Sequence, residues 1–316
     1  MRILGLTVDV PTSSSLVMLE DEKIVWGSPE ERLNREKQSM KFPKQALDAC
    51  LDATNLEIND VDYLSISWNP MVNLFESSSA RVYSSNKSKI DLLHTVVGNL
   101  AEHYSDTSLF SRQTIYFESG ELLDVYFIKH HLCHAACSYY ESGFEEAHIL
   151  TCDGYGESET LTISEASGNQ IKQLHRTCFP NSLGMFYGAI TEVLGFKHNS
   201  DEWKVMALCA YGKPDNNLYT SLRSLFTIND ALEIEFDTNK FNFDNVLCKG
   251  LYNDSLLNLL NIKSVGPFGE VELTQRHYDL ALATQQVFED IMVELCNKIK
   301  DRYAVESLCL SAGSFM

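Results

Sequence analysis

Twice along its length this chain reads as three short strands in immediate succession, and that repeat limits the folds open to it more than any other feature. Arg2 to Val8 is strand-like, Ser15 to Leu19 follows after Pro11-Thr-Ser-Ser-Ser, and Lys23 to Gly27 follows across the acidic turn Glu20-Asp21-Glu22. Strands joined by tight polar turns predict an antiparallel meander. Phe42 to Thr54 then carries Ala46, Leu47, Cys50 and Leu51 at helical spacing, with Pro43 suited to a first turn, and Val61 to Ser67 reads as another strand. The pattern restarts with Ala147 to Cys152, Thr160 to Ser164 and Ile171 to Cys178. The expectation is a duplicated α/β fold with a cleft between its copies, divided as residues 1–146 and 147–316.

Between the second meander and the end, Lys213 to Val271 is rich in Asn and Asp and yields no assignment. Leu273 to Tyr303 reads as a long amphipathic helix with Leu280, Ala283, Val287, Ile291 and Leu295 on one face. The last segment, Glu306 to Met316, is a strand running into a glycine turn. Such a strand normally feeds a helix that covers the sheet, so the reading expects a truncated, split or degenerate product whose second half is incomplete.

With 316 residues, 44% hydrophobic and 22% charged, the chain has the composition of a globular protein large enough for two domains. Its formal charge of −19 argues against non-specific binding to nucleic acid or anionic membrane, since a phosphate polyanion meets repulsion over most of the surface. No apolar run approaches membrane-spanning length and the N-terminus lacks signal-peptide features, so a cytoplasmic location is expected. Nine cysteines, none in a C-x-x-C pair, lie mostly in apolar stretches and are expected to be reduced.

Three segments carry chemistry. In Lys129-His130-His131-Leu-Cys-His134, predicted to open a helix, His130 and His134 are four residues apart. Both imidazoles then project from one face and can share a divalent cation, while His131 is turned by about 100°. Asp153, at the end of the next strand, is placed to supply a hard oxygen, and a mixed nitrogen and oxygen set suits iron, zinc or manganese better than calcium. Histidines that cap the helix and bond to the core would give the same spacing. In Thr151-Cys-Asp153-Gly154-Tyr-Gly156-Glu157, an acid followed by glycines allows backbone N–H groups to approach phosphate; an ordinary hairpin turn has the same letters. In Asn181-Ser-Leu-Gly184-Met-Phe-Tyr187 and the following Asp201-Glu202-Trp-Lys204, the charged group could bind substrate or position a base, or could be a solvated helix start.

In this order the segments resemble the NodU/CmcH carbamoyltransferase family, whose chains carry HHxxHA, DGxGE, SLGxFY and DExKVMxLxxYG. Pro29-Glu30-Glu31-Arg32 through Lys37 and Lys41-Phe42-Pro43 are similar to its EERxxRxK and FP elements, and Leu308 to Gly313 is similar to its nucleotide-loop strand. The resemblance implies an α/β, actin-like ATPase fold of duplicated ribonuclease-H-like units, like that of the threonylcarbamoyl transferase that modifies tRNA. It implies a domain that moves a carbamoyl group from carbamoyl-adenylate to a hydroxyl. Carried over by position, His130, His134 and Asp153 become ligands of a divalent metal, iron by resemblance. Gly154, Gly156, Gly184 and Gly313 would line the nucleotide path, and Lys37, Asp201 and Lys204 become the candidate catalytic residues.

The implied partners are a small-molecule or sugar hydroxyl acceptor and a region, on the same or a separate chain, that makes the adenylate from carbamoyl phosphate and ATP. Two departures stand out. The family's His-Asp pair before the first hairpin is replaced by Asp9-Val10-Pro11, and its nucleotide loop reads Ala312-Gly313-Ser314-Phe315-Met316. They keep open an inactive remnant or a metal- and nucleotide-binding module as the alternative; a sugar kinase of the same fold would not need the two histidines.

Overall fold

The structure, a computed structural model, describes residues 1–8, 14–69, 110–116, 122–243, 250–265 and 272–315. The altered segment Asp9 to Ser13 lies outside these residues, as does part of the unassigned 213–271 stretch. Two compact units are present, Met1–Cys133 and His134–Met316; the sequence-based division stood at 146/147.

In the first unit, β1 (Arg2–Thr7), β2 (Ser15–Glu20) and β3 (Lys23–Pro29) form the predicted antiparallel meander. Parallel to β1 runs β4 (Tyr63–Ile66), followed in the sheet by β6 (Leu122–Ile128) and β5 (Phe110–Tyr116), giving the order β3-β2-β1-β4-β6-β5. A short α1 (Glu31–Asn34) precedes α2 (Lys44–Thr54). Pro43 stands just before α2 rather than within its first turn, and the helix start is held from elsewhere. The buried Glu30 carboxylate accepts from the Gln45 and Ala46 amides at 3.2 and 2.8 Å, satisfying two donors that the helix itself leaves orphaned. Asn55, in the left-handed conformation, ends it. The core joins Leu4, Leu6, Leu16 and Met18 to Ala46 and Cys50.

Helix α3 (His130–Tyr140) follows β6 directly. In the second unit, β7 (Glu146–Gly156), β8 (Glu159–Ser167) and β9 (Gln170–Cys178) make another antiparallel meander, and β12 (Leu308–Ser311) pairs parallel to β7. The order β12-β7-β8-β9 is that of β4-β1-β2-β3, with the same strand directions. The duplicated α/β arrangement expected from the sequence is therefore built into the sheets themselves. The short α1 and the helix α2 link the meander to its parallel strand in the first unit; in the second the link is a long insertion.

That insertion holds α4 (Leu183–Val193), α5 (Glu202–Leu208), α6 (Asn216–Arg223), β10 (Phe226–Ile228), β11 (Ile234–Phe236), α7 (Asp254–Leu260) and α8 (Gln275–Tyr303). Its core is aromatic: Phe186 packs edge-on to Phe226 and Phe236, and Phe241 and Phe243 stack beside them. Along α8 the five apolar residues named from periodicity are all buried. The strand β7 runs past the predicted stop at Cys152. Cys152 pairs with Leu161 and Gly156 with Glu159, so Asp153, Gly154 and Tyr155 stand opposite Thr160 alone. This is a bulge within the strand, and the turn falls later, at Glu157-Ser158.

Candidate metal centre

The helix register and the bulge account for the geometry of the site. His130 and His134 lie one turn apart on α3, and the bulge in β7 re-aims the Asp153 side chain. His134 Nε2 lies 3.3 Å from Asp153 Oδ2, with both side chains about three-quarters covered. Each of His130, His134 and Asp153 offers a ligand atom, and these atoms all lie within 4.8 Å of one another, so the group could hold a metal ion. Two donors each about 2.1 Å from a tetrahedral ion stand roughly 3.4 Å apart, which the His134–Asp153 spacing matches.

The protonation pattern also fits. His130 Nδ1 lies 3.2 Å from the Ser67 carbonyl oxygen. A carbonyl can only accept, so Nδ1 carries the proton and Nε2 keeps its lone pair for a cation, the arrangement usual for metal-binding histidines. The Trp68 ring, 5.6 Å away between centroids, flanks the same imidazole. His131 is buried on a different side of the helix and does not join the ligand group.

Glycines crowd around Asp153. A Cβ on Gly184 would fall 2.6 Å from the Gly154 nitrogen and 2.8 Å from the Asp153 carbonyl, so α4 can start against this backbone only with glycine there. A Cβ on Gly313 would sit 3.1 Å from Asp153 Oδ1, an oxygen that also accepts from the Gly154 amide at 2.7 Å. Ser182 ties the parts together. Its hydroxyl donates to the Gly154 carbonyl at 2.6 Å and accepts from the Met185 amide at 3.0 Å, capping α4. Beside it all, burial pushes the Cys152 thiol up to about 12, so this neighbour adds no negative charge.

Of the four glycines expected along a nucleotide path, Gly154, Gly184 and Gly313 adjoin Asp153, and Gly156 closes the bulge. The charged candidates are placed differently. Lys204 Nζ is 2.8 Å from Asp201 Oδ1 and lies over the Phe196 and Trp203 rings. Burial alone would raise Asp201, but the Lys204 ammonium and the Lys197 amide outweigh it and hold the carboxyl below its usual range. Next to it, burial raises Glu202, whose carboxylate accepts from the Asn199 and Ser200 amides. Lys37 is exposed in the segment after α1. Sequence reasoning missed Ser182 and the Ser67 carbonyl. The first was legible as a serine immediately before an apolar helix; the second is backbone and carries no residue signature.

The sequence matches the family described as "Carbamoyltransferase N-terminus" over residues 2–316. A Synechocystis sp. protein, sll1178, is 29% identical over 99% of this chain and 50% of its own length. The nodulation protein NolNO of Sinorhizobium fredii is 26% identical over 97% of this chain and 42% of its own length. The chain spans about half the length of the curated relatives it matches. Among solved structures, the Aquifex aeolicus PPX-GPPA enzyme aligns over 98% of this chain and 95% of its own, at 12% identity and a TM-score of 0.31. With the ordered motifs, the repeated sheets and a family match from end to end, this chain belongs to the carbamoyltransferase N-terminus family.

Proposed function

We propose that the chain supplies the transfer centre of an O-carbamoyltransferase, in which a carbamoyl group passes from carbamoyl-adenylate to the hydroxyl of a small molecule or sugar. The observation that carries this reading is the convergence of His130, His134 and Asp153 in a chain of this family. These residues would hold a divalent cation, iron by resemblance, which when bound supplies counter-charge and Lewis acidity toward the adenylate. His130 presents Nε2 because Ser67 fixes its proton on Nδ1. Gly184 and Gly313 keep side chains away from Asp153, and with Gly154 they would let a phosphate approach the backbone there.

In the transfer, the acceptor oxygen bonds to the carbamoyl carbon and the bond from that carbon to the phosphate oxygen breaks. AMP leaves with the electron pair, and the hydroxyl proton passes to solvent base. Lys204, already paired with Asp201, serves this scheme as a fixed positive element rather than a free base. Synthesis of the adenylate from carbamoyl phosphate and ATP is assigned to sequence that the longer relatives possess, on the same or a separate chain.

The test supplies the metal-loaded chain with synthetic carbamoyl-adenylate and a panel of sugar alcohols, and reads carbamate by mass spectrometry. Product that disappears in His134→Ala supports the transfer reading. A chain that binds metal and adenylate yet forms no carbamate would contradict it in favour of a binding module.

A further inference from the structure

At the opposite end of α3 from the histidines, the structure holds a cavity of about 380 Å³ lined by Tyr139, Tyr140, Phe144, Glu145, Glu146 and Asn169, among others. It is of a size that takes a small ligand or a single side chain. It is separate from the metal centre: Glu146 opens β7, and Asp153 lies seven residues further, roughly 20 Å along the strand.

The lining has one consistent polarity. Two carboxylates, Glu145 and Glu146, contribute to it, and neither forms an ion pair among the described residues; Glu146 receives only the Ser167 hydroxyl, at 3.2 Å. No Lys, Arg or His lines the cavity. The C-terminal end of α3, the negative end of its dipole, finishes at Tyr140. The aromatic rings are half exposed, Tyr140 by 53% and Phe144 by 45%. Tyr140 is tied to backbone, its hydroxyl donating to the Asn169 carbonyl at 3.2 Å, and beside it the Tyr139 hydroxyl donates to the Glu145 carbonyl at 2.6 Å. With its hydroxyl committed to backbone, the exposed Tyr140 offers ring surface, whose face attracts cations, while Tyr139 is buried.

We infer that this cavity binds an organic cation, an alkylammonium or guanidinium group seated between the Tyr140 and Phe144 rings and the Glu145 and Glu146 carboxylates. A neutral ligand would leave two carboxylates without counter-charge, and an anion would meet them and the helix terminus with repulsion. The same chemistry is presented by a free amine and by a basic side chain of another protein. The overall charge of −19 raises the local concentration of either.

The inference is independent of carbamoyl transfer and is tested on the full chain by titration calorimetry with agmatine, with a short arginine-containing peptide, and with a neutral urea analogue of agmatine. Saturable, salt-sensitive binding of the cations but not the neutral analogue is expected, weakened at least tenfold in Glu145→Gln/Glu146→Gln and in Tyr140→Leu. Agmatine binding as well as the peptide identifies a free-amine site; the peptide alone identifies a basic side chain. Asn169→Arg, on the exposed hairpin tip, fills the cavity with its own guanidinium and should abolish binding without touching the core, which covers the case of an unstable Tyr140 variant. No saturation by any cation below about 10 mM overturns the inference. So does binding that persists unchanged in folded Asn169→Arg and carboxamide variants.

Discussion

His134 Nε2 and Asp153 Oδ2 stand 3.3 Å apart, longer than a charge-assisted hydrogen bond at its best and close to the separation of two donors on one cation. The imidazole comes from the first turns of a helix and the carboxylate from a bulge in a strand, two features fixed independently. On the carboxylate side, α4 packs onto the Asp153–Gly154 backbone through Gly184, so that contact is expected to bear on both stability and metal binding.

Gly184→Ala should therefore be costly despite adding one methyl group. Its Cβ would meet the Gly154 nitrogen at 2.6 Å, and backbone does not yield as a side-chain tip does. A loss of about 1–3 kcal/mol in denaturant unfolding is expected, together with weaker metal retention. Unchanged stability would mean that α4 does not hold the bulge.

Ser182→Ala removes a cap and a tie at once. The Met185 amide loses its acceptor and the Gly154 carbonyl loses its donor. About 2 kcal/mol should disappear from the unfolding free energy, and Ser182→Thr should restore most of it. If the alanine variant matches the parent, the tie to Gly154 contributes nothing.

Much of this was legible in the sequence because it is local. The i, i+4 spacing of His130 and His134 specifies a shared helical face, and the alternating strands specify two meanders whose duplication the sheets then show. The bulge was not legible, since Asp-Gly-Tyr-Gly reads equally well as a hairpin turn; only pairing with β8 places the turn at Glu157-Ser158. The insertion resisted reading for a related reason. Its strands β10 and β11 are three residues long, and its core comes from Phe186, Phe226, Phe236, Phe241 and Phe243, which share no local period. The charged residues Asp201 and Lys204 were legible as a group, and the structure pairs them with each other.

Acid should weaken the fold through two histidines outside the ligand group. The His148 ring stacks on Tyr303 at 5.2 Å, its Nε2 buried with no hydrogen bond among the described residues, and His175 Nε2 bonds the Tyr303 hydroxyl. Burial pushes both imidazoles below their ordinary range; Glu165 opposes this at His148, and at His175 Arg302 reinforces it while Glu233 opposes it. Lys172 in turn is paired with Glu165. The folded chain then binds fewer protons than the unfolded chain, so stability is complete above about pH 6.5 and declines as pH falls through the depressed folded values. Thermal midpoints measured from about pH 7.5 down to about pH 5 should fall, and less so in His148→Gln/His175→Gln. Parallel pH profiles for parent and variant would assign the decline to other groups.

The central claim is that His130, His134 and Asp153 hold one cation, and metal content per folded chain tests it most directly. Elemental analysis of the purified, metal-reconstituted protein should find about one divalent ion per chain and less than about a tenth of that in His134→Ala, with circular dichroism unchanged. Equal metal content in parent and variant would contradict the site, and with it the carbamoyl-transfer reading built on it.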